Sequence, residues 1–252
     1  MLITGASRGI GRAVATSAAS RGAKVGLIAR GREDLDAVAR ALGDGHALAT
    51  ADVAEPDQLT AAIGKLEAEL GPTDILVANA GIGAYGPFAE VDPVDIERLV
   101  RVNVLGTMHA IRTVVPGMIE RRRGHIVTLG SIAGRVGAPF EALYSATKFA
   151  QVGLTEALSV ELSPYGIGVS MVNPGPVETD FFEARGHAYD RKSPKPVPAQ
   201  QVADAVMAAV DSKKLEQYVP KWLRSASIVR HLAPPVFLSG TKRAFRKELA
   251  GR

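Results

Sequence analysis

The chain has 252 residues, 46 % of them apolar and 22 % charged, with a net charge of +4 and no cysteine. Its length and apolar share allow one large domain with a sizeable core. The lack of cysteine excludes disulfides, thiolate metal sites and a cysteine nucleophile. The charge is unevenly placed: residues 221–252 hold eight Lys or Arg and one acid, Glu248, while the rest is mildly acidic. No nucleic-acid-reading motif accompanies the basic tail, so no nucleic-acid partner is expected. A membrane-surface or partner-docking tail fits it better, and packing on a partner subunit is the favoured form. No apolar stretch of about 18 residues is present to span a bilayer. The chain opens on a strand and a glycine turn without a signal-like lead, and a cytoplasmic location is expected.

In chain order, short β-rich runs alternate with longer helical ones. Leu2–Thr4 reads as a strand, Ile10–Ser20 as a helix, Val25–Ile28 as a strand and Glu33–Leu42 as a helix. His46–Thr50 follows as a strand. Pro56 opens a helix that Gly71-Pro72 closes, because proline suits a first turn and glycine a stop. Ile75–Ala78 is a strand. Asp92-Pro93 caps a helix, broken once, that runs to about Arg123, where Arg121-Arg122-Arg123 suits the negative end of the dipole. Ile126–Leu129 (strand), Tyr144–Leu162 (helix) and Val169–Val172 (strand) come next. Residues 176–198, with four prolines and the Phe181-Phe182 pair, read as a loop over the sheet edge. Val202–Val210 is a helix and Tyr218-Val219 a last short strand. The alternation predicts a single-domain α/β fold with a doubly wound parallel sheet covered on both faces. Ligands in such sheets bind beyond the carboxyl ends of the strands, where the strand order reverses.

Two stretches lie at such ends. Gly5-Ala6-Ser7-Arg8-Gly9-Ile10-Gly11 sits between the first strand and the first helix. Its glycines permit a tight turn and close backbone approach, and the helix N-terminus offers free N–H donors to a pyrophosphate. The second strand ends in Ala29-Arg30, where an acid would normally accept bonds from the ribose diol of NAD. Arg30, with Arg8, instead suits a 2′-phosphate, so NADP(H) is expected over NAD(H). Tyr144 and Lys148 stand four apart, on one face of a helix. An ammonium near a phenol favours the phenolate, so Lys148 is expected to pull the pKa of Tyr144 down toward working pH. Ser131 follows a strand at the same sheet end and suits an oxyanion-type contact. No Gly-x-Ser-x-Gly elbow surrounds it, which excludes a hydrolase triad.

Together these residues resemble the short-chain dehydrogenase/reductase family, in its branch of about this chain length. Thr4-Gly5-x-x-x-Gly9-x-Gly11 is similar to the family's cofactor turn, and Asn79-Ala80-Gly81 to its strand-end motif. Asn103 matches the helix asparagine. Ser131 precedes Tyr144 by thirteen residues and Lys148 follows by four, as in the family. Asn173-Pro174-Gly175-Pro176-Val177-Glu178-Thr179 resembles the nicotinamide-side motif.

The resemblance implies a Rossmann sheet of about seven parallel strands, with Tyr144 as acid/base and Ser131 orienting the substrate oxygen. Lys148 would tune Tyr144 and hold the ribose, and Asn103 would support a backbone–water relay to Lys148. Asp52 and Val53 would meet the adenine. Asn79, Ala80 and Gly81 would line the adenosine side. Pro174, Gly175, Val177 and Thr179 would hold the carboxamide side. A homodimer or homotetramer joined through the two long helices is implied as well. The chain departs from the family at both ends: almost nothing precedes Thr4, and Pro220-Lys221-Trp222-Leu223 leads into the basic tail.

Phe181 and Phe182 either cap the substrate pocket or anchor the loop. The five histidines show no metal-ligand spacing, so no metal is expected. The reading is an oxidoreductase acting on a ketone, aldehyde or secondary alcohol, with a lipophilic substrate hinted at by the apolar loop. The alternatives are a redox-silent nucleotide sensor or a membrane-docked scaffold on the same fold.

Overall fold

The computed structural model describes residues 1–191 and 193–250. Seven strands form one sheet: β1 (Leu2–Thr4), β2 (Gly26–Ala29), β3 (Ala47–Thr50), β4 (Ile75–Ala78), β5 (Gly124–Leu129), β6 (Ile167–Pro174) and β7 (Glu216–Val219). They lie in the order β3-β2-β1-β4-β5-β6-β7, and every neighbouring pair is parallel. Ile3, Leu27, Leu76, Val77, Ile126, Val127 and Val172 have no exposed surface, which is why these runs read as unbroken apolar strings.

Helices cover both faces. On one side α1 (Gly9–Ser20), α2 (Arg32–Leu42) and α8 (Ala199–Ser212) pack Val14, Leu35, Val38, Val202 and Val206 against the sheet. On the other, α3 (Pro56–Leu70), α5 (Gly106–Arg121) and α6 (Ala142–Glu161) enclose Leu59, Ile63, Leu66, Val114 and Met118. The order reverses between β1 and β4, so a crevice opens at the carboxyl ends of these two strands.

The long helical stretch after Asp92 is interrupted as expected. Asp92 caps α4 (Pro93–Leu99), accepting from Val94 N at 2.8 Å, and a π-helical segment, Val100–Leu105, separates α4 from α5. Asn103 stands in that segment, and such bulges occur often at functional sites.

The segment after β6 holds the short helix α7 (Phe181–Ala184) and a two-residue ladder pairing Val177–Glu178 with Val197–Pro198. The basic tail forms α9 (Arg224–Leu232), α10 (Pro234–Ala244) and α11 (Arg246–Ala250). It turns back on this same chain. Arg191 lies 3.4 Å over the Phe245 ring and pairs with Glu248 at 2.7 Å. No helix among the described residues is long and apolar enough to cross a membrane.

Candidate active site

The crevice is built by two strand tips and a turn. Gly5 has φ +65°, and a Cβ there would lie 2.9 Å from Ala80 Cα. A Cβ on Gly11 would collide with the Gly5 carbonyl, so α1 meets the turn only because that position is bare. The Asn79 amide donates to the carbonyls of Thr4 at 2.9 Å and Gly5 at 3.1 Å. Thr4 Oγ1 in turn accepts from the N–H groups of Asn79 and Ala80, both at 3.1 Å. These four bonds lock the ends of β1 and β4 together. Asn79, placed in the sequence reading against the adenosine, spends its amide on the turn.

The start of α1 suits an anion. Arg8 occupies its N-cap without a side-chain cap bond, and its first turn contains no acid. The N–H groups there, Ile10 among them, therefore have no side-chain acceptor, and the dipole meets no local negative charge. Ser7 is half-buried in the same turn. A dinucleotide pyrophosphate fits such a cradle. Thr179 comes to the turn from the far side: its methyl would sit 3.1 Å from a Cβ on Gly9. Pro174 ends β6, Gly175 N donates to Val219 O at 2.8 Å, and Val177 is buried. Asn173, fully buried just before Pro174, has neither side-chain atom hydrogen-bonded among the described residues.

Arg30 stands at the rim beside Asp52, Nη1 to Oδ2 3.8 Å, with its own side chain 69 % exposed. Such a loose, solvated pair leaves the guanidinium available. Asp52 also accepts from Ala54 N at 2.9 Å, and Val53 is buried against Gly106. Arg8 is exposed as well.

At the end of β5, Ser131 caps a short 3-10 turn, its Oγ accepting from Ala133 N at 3.1 Å. Tyr144 is the third residue of α6, two residues deeper than expected, because the helix begins at Ala142. Lys148 lies one turn on. Its ammonium donates to Leu129 O at 2.7 Å and Gln151 Oε1 at 3.0 Å, and stands 5.7 Å from the centroid of the Tyr144 ring. Asn103 holds the Ile82 backbone through both ends of its amide, at 2.8 and 2.9 Å, and donates to Thr147 Oγ1 at 3.0 Å. Its carbonyl accepts from Gln151 Nε2 at 2.7 Å. The structure thus brings Asn103, Ser131, Tyr144 and Lys148 together.

The electrostatics correct one expectation. The Tyr144 phenol is held well above the usual tyrosine range, first by burial and then by the Glu141 carboxylate. A hydrogen-bonding contact with Ser131 and the charge of Arg185 oppose this without winning. Lys148, whose N–H groups are aimed at Leu129 and Gln151, does not bring the phenol down. Burial instead lowers Lys148 itself to about 7.

Tyr144 is buried in a cluster with Leu99, Ala133 and Leu143, and Phe181 packs against it with its ring 5.5 Å from the Tyr144 ring. Phe181 fits there because Gly83 is bare; a Cβ on it would come 2.6 Å from Phe181 Cζ. Phe182 points elsewhere, 5.0 Å from the Tyr189 ring, with the Arg185 guanidinium 4.6 Å over it. Phe181 thus lies on the phenol, and Phe182 lies between Tyr189 and Arg185. Beside them a cavity of about 280 Å³ is lined by Tyr85, Phe88 and Phe140 together with Glu90, Asp95 and Glu141.

Sequence reasoning missed Gln151 and Arg185. A polar residue three positions after Lys148 on the buried face of α6 was the available signal for the first; the second had none. Among the described residues no cluster of His, Asp or Glu fits a metal ion.

Residues 1–190 match the family profile described as short chain dehydrogenase. The chain is 31 % identical over 264 residues to a Mus musculus protein named dehydrogenase/reductase SDR family member 7B, covering 98 % of this chain and 81 % of that one. A short-chain dehydrogenase from Sphingobium yanoikuyae, solved with NADPH, superposes with a TM-score of 0.82 at 30 % identity, covering 94 % of both chains. A short chain dehydrogenase/reductase from Burkholderia phymatum, solved with NAD, gives 0.86 at 27 % identity over 93 % of both. With its seven-stranded doubly wound sheet and these matches, the chain belongs to the short-chain dehydrogenase/reductase family of oxidoreductases.

Proposed function

We propose that the chain is an NADP(H)-dependent reductase or dehydrogenase acting on a ketone, aldehyde or secondary alcohol, with Tyr144 as the proton-transferring residue. The observation that carries this reading is the meeting of Tyr144, Ser131 and Lys148 at the end of β5, beside the glycine turn of α1. Bound NADP(H) supplies or accepts the hydride. Gly5, Ser7, Gly9, Ile10 and Gly11 would cradle its pyrophosphate. Arg8 and Arg30 would meet the 2′-phosphate, with Asp52, Val53, Ala80 and Gly81 on the adenosine side. Pro174, Gly175, Val177 and Thr179 would bound the nicotinamide. Both NADPH and NAD occur among the solved neighbours, so the phosphate preference rests on the two arginines.

The chain's own residues divide the proton work. Ser131 orients the substrate oxygen, and Tyr144, kept neutral by its burial, donates its proton to the oxygen as negative charge develops. In its charged form Lys148, 5.7 Å from the centre of the phenol ring, would stabilise the phenolate that this leaves. A neutral phenol is the protonation state that carbonyl reduction requires of the proton donor. Phe181 on the phenol, and Tyr85, Phe88 and Phe140 in the nearby cavity, support a lipophilic carbonyl substrate.

Leu105, Met108 and Val160 on the outer faces of the π segment, α5 and α6 are 40 %, 37 % and 72 % exposed, which supports a homodimer or homotetramer through these helices. In the tail, Ile228, Leu232, Val236 and Leu238 are exposed among Arg224, Arg230, Lys242 and Arg243, which suits a second subunit or an anionic membrane surface.

The test is a panel of ketones and aldehydes with NADPH and NADH, followed by cofactor fluorescence. NADPH oxidation with at least one lipophilic ketone supports the reading. Cofactor binding without oxidation of either coenzyme across the panel favours a redox-silent nucleotide sensor instead.

A further inference from the structure

We infer that Gln151 is the positioning residue of Lys148, fixing its aim and favouring its charged form by joining it to Asn103 through a side-chain amide. The inference rests on the role proposed above for Lys148 beside Tyr144.

The Gln151 amide is almost wholly buried, and its oxygen and both its N–H groups have partners. Its Oε1 accepts from Lys148 Nζ at 3.0 Å. Its Nε2 donates to Asn103 O at 2.7 Å and to Thr107 Oγ1 at 2.9 Å. Thr107 Oγ1 also donates to Asn103 O at 2.9 Å. These partners settle which end of the amide is which. Turned over, it would aim N–H groups at an ammonium and an oxygen at a carbonyl. The result is an oriented dipole whose negative end meets Lys148.

The family resemblance implied a water in a relay between the Asn103 carbonyl and Lys148. Here a side chain makes that connection directly. An amide neither gains nor loses a proton near neutral pH, so this link aims Lys148 without conducting protons along it.

Among the described residues no carboxylate pairs with Lys148. From β5 it meets the Leu129 carbonyl, from the π segment Asn103, and from the loop after β4 Gly81. The turn after β5 presents Gly134 backbone. Tyr144 is the titratable neighbour, and Glu141 and Arg185 act on Tyr144 rather than on Lys148. Burial, which pulls Lys148 down, is therefore opposed mainly by two oxygen dipoles, of which Gln151 contributes one.

The experiment is an NMR titration of the ¹³C-labelled ε-carbon of Lys148 in the full ligand-free chain, assigned by its loss in Lys148→Arg. Gln151→Met keeps the volume and removes the dipole, and is expected to lower the Lys148 midpoint by about one to two pH units. Gln151→Glu is expected to raise it, and reads the same coupling with opposite sign if the methionine variant does not fold. In the pH–rate profile with NADPH, Gln151→Met is expected to lose about tenfold in kcat at pH 7 with KM little changed. Lys148 midpoints that stay at the wild-type value in both variants overturn the inference. A wild-type chain that reduces no carbonyl counts against the proposed function and leaves the titration result standing on its own.

Discussion

The guanidinium of Arg185 and the carboxylate of Glu141 meet at 2.7 Å, tying the lid segment after β6 to the residue that precedes α6. The Arg185 side chain is almost fully buried, lying 4.8 Å over the Tyr85 ring and 4.6 Å over Phe182. Phe181, four residues before Arg185 in the same segment, lies on the Tyr144 ring. Removing one partner of a buried pair is costlier than the pair is worth, because the other is left uncompensated. In Glu141→Gln, amide hydrogen exchange at residues 181–187 is therefore expected to quicken at least tenfold relative to α6. The Tyr144 phenol is also expected to titrate lower, since Glu141 holds it up. Hydrogen-exchange mass spectrometry checks the first and ultraviolet titration the second.

Arg30 and Arg8 carry the proposed preference for a phosphorylated coenzyme. Arg30→Ala removes one charge-assisted contact, and NADPH affinity is expected to fall about tenfold or more with NADH affinity nearly unchanged. Fluorescence titration with both coenzymes measures the ratio. Equal losses for the two would mean that Arg30 does not read the 2′-phosphate.

Much of the frame was legible in the chain because local rules agreed. Ile75–Ala78 read as a strand since all four residues are apolar and turn signals bound the run, and β4 has those bounds. The start of α6 was misjudged by two residues because Glu141 provides no side-chain cap to announce it. The Tyr144–Lys148 spacing placed both residues on one helix face. The direction of the phenol's shift was not legible, because burial comes from residues distant in the chain, among them Leu99 and Phe181, the latter 37 residues later in a space that Gly83 leaves open. Arg185 gave no signal for the same reason: only the folded segment brings Tyr85, Phe182 and Glu141 around it.

His125 makes a distinct prediction about acid stability. Its ring is buried, 2.9 Å from Ser170 Oγ, and its pKa is lowered to about 4, first by burial and then by the charge of Lys213. The unfolded chain binds this proton with an ordinary value near 6.5, so between the two values unfolding takes up a proton. Stability from His125 is full above about 6.5 and is lost as the pH falls toward about 4. Denaturant melts from pH 7 to 4 are expected to show a shallower loss in His125→Gln than in the wild type.

Two glycines to alanine separate function from propensity. Gly11→Ala drives a methyl into the Gly5 carbonyl and is expected to cost about 1–3 kcal/mol and abolish NADPH binding. Gly64→Ala in α3 meets nothing within 4 Å and is expected to stabilise by about 0.5–1 kcal/mol. Thermal and chemical denaturation measure both.

The most direct test of the proposed chemistry is Tyr144→Phe, assayed for NADPH binding and for carbonyl reduction on the same preparation. The account predicts NADPH affinity within about twofold of the wild type and a kcat lowered by about 10²–10⁴. A variant that binds NADPH and still turns over within tenfold of the wild type would show that the proton comes from elsewhere.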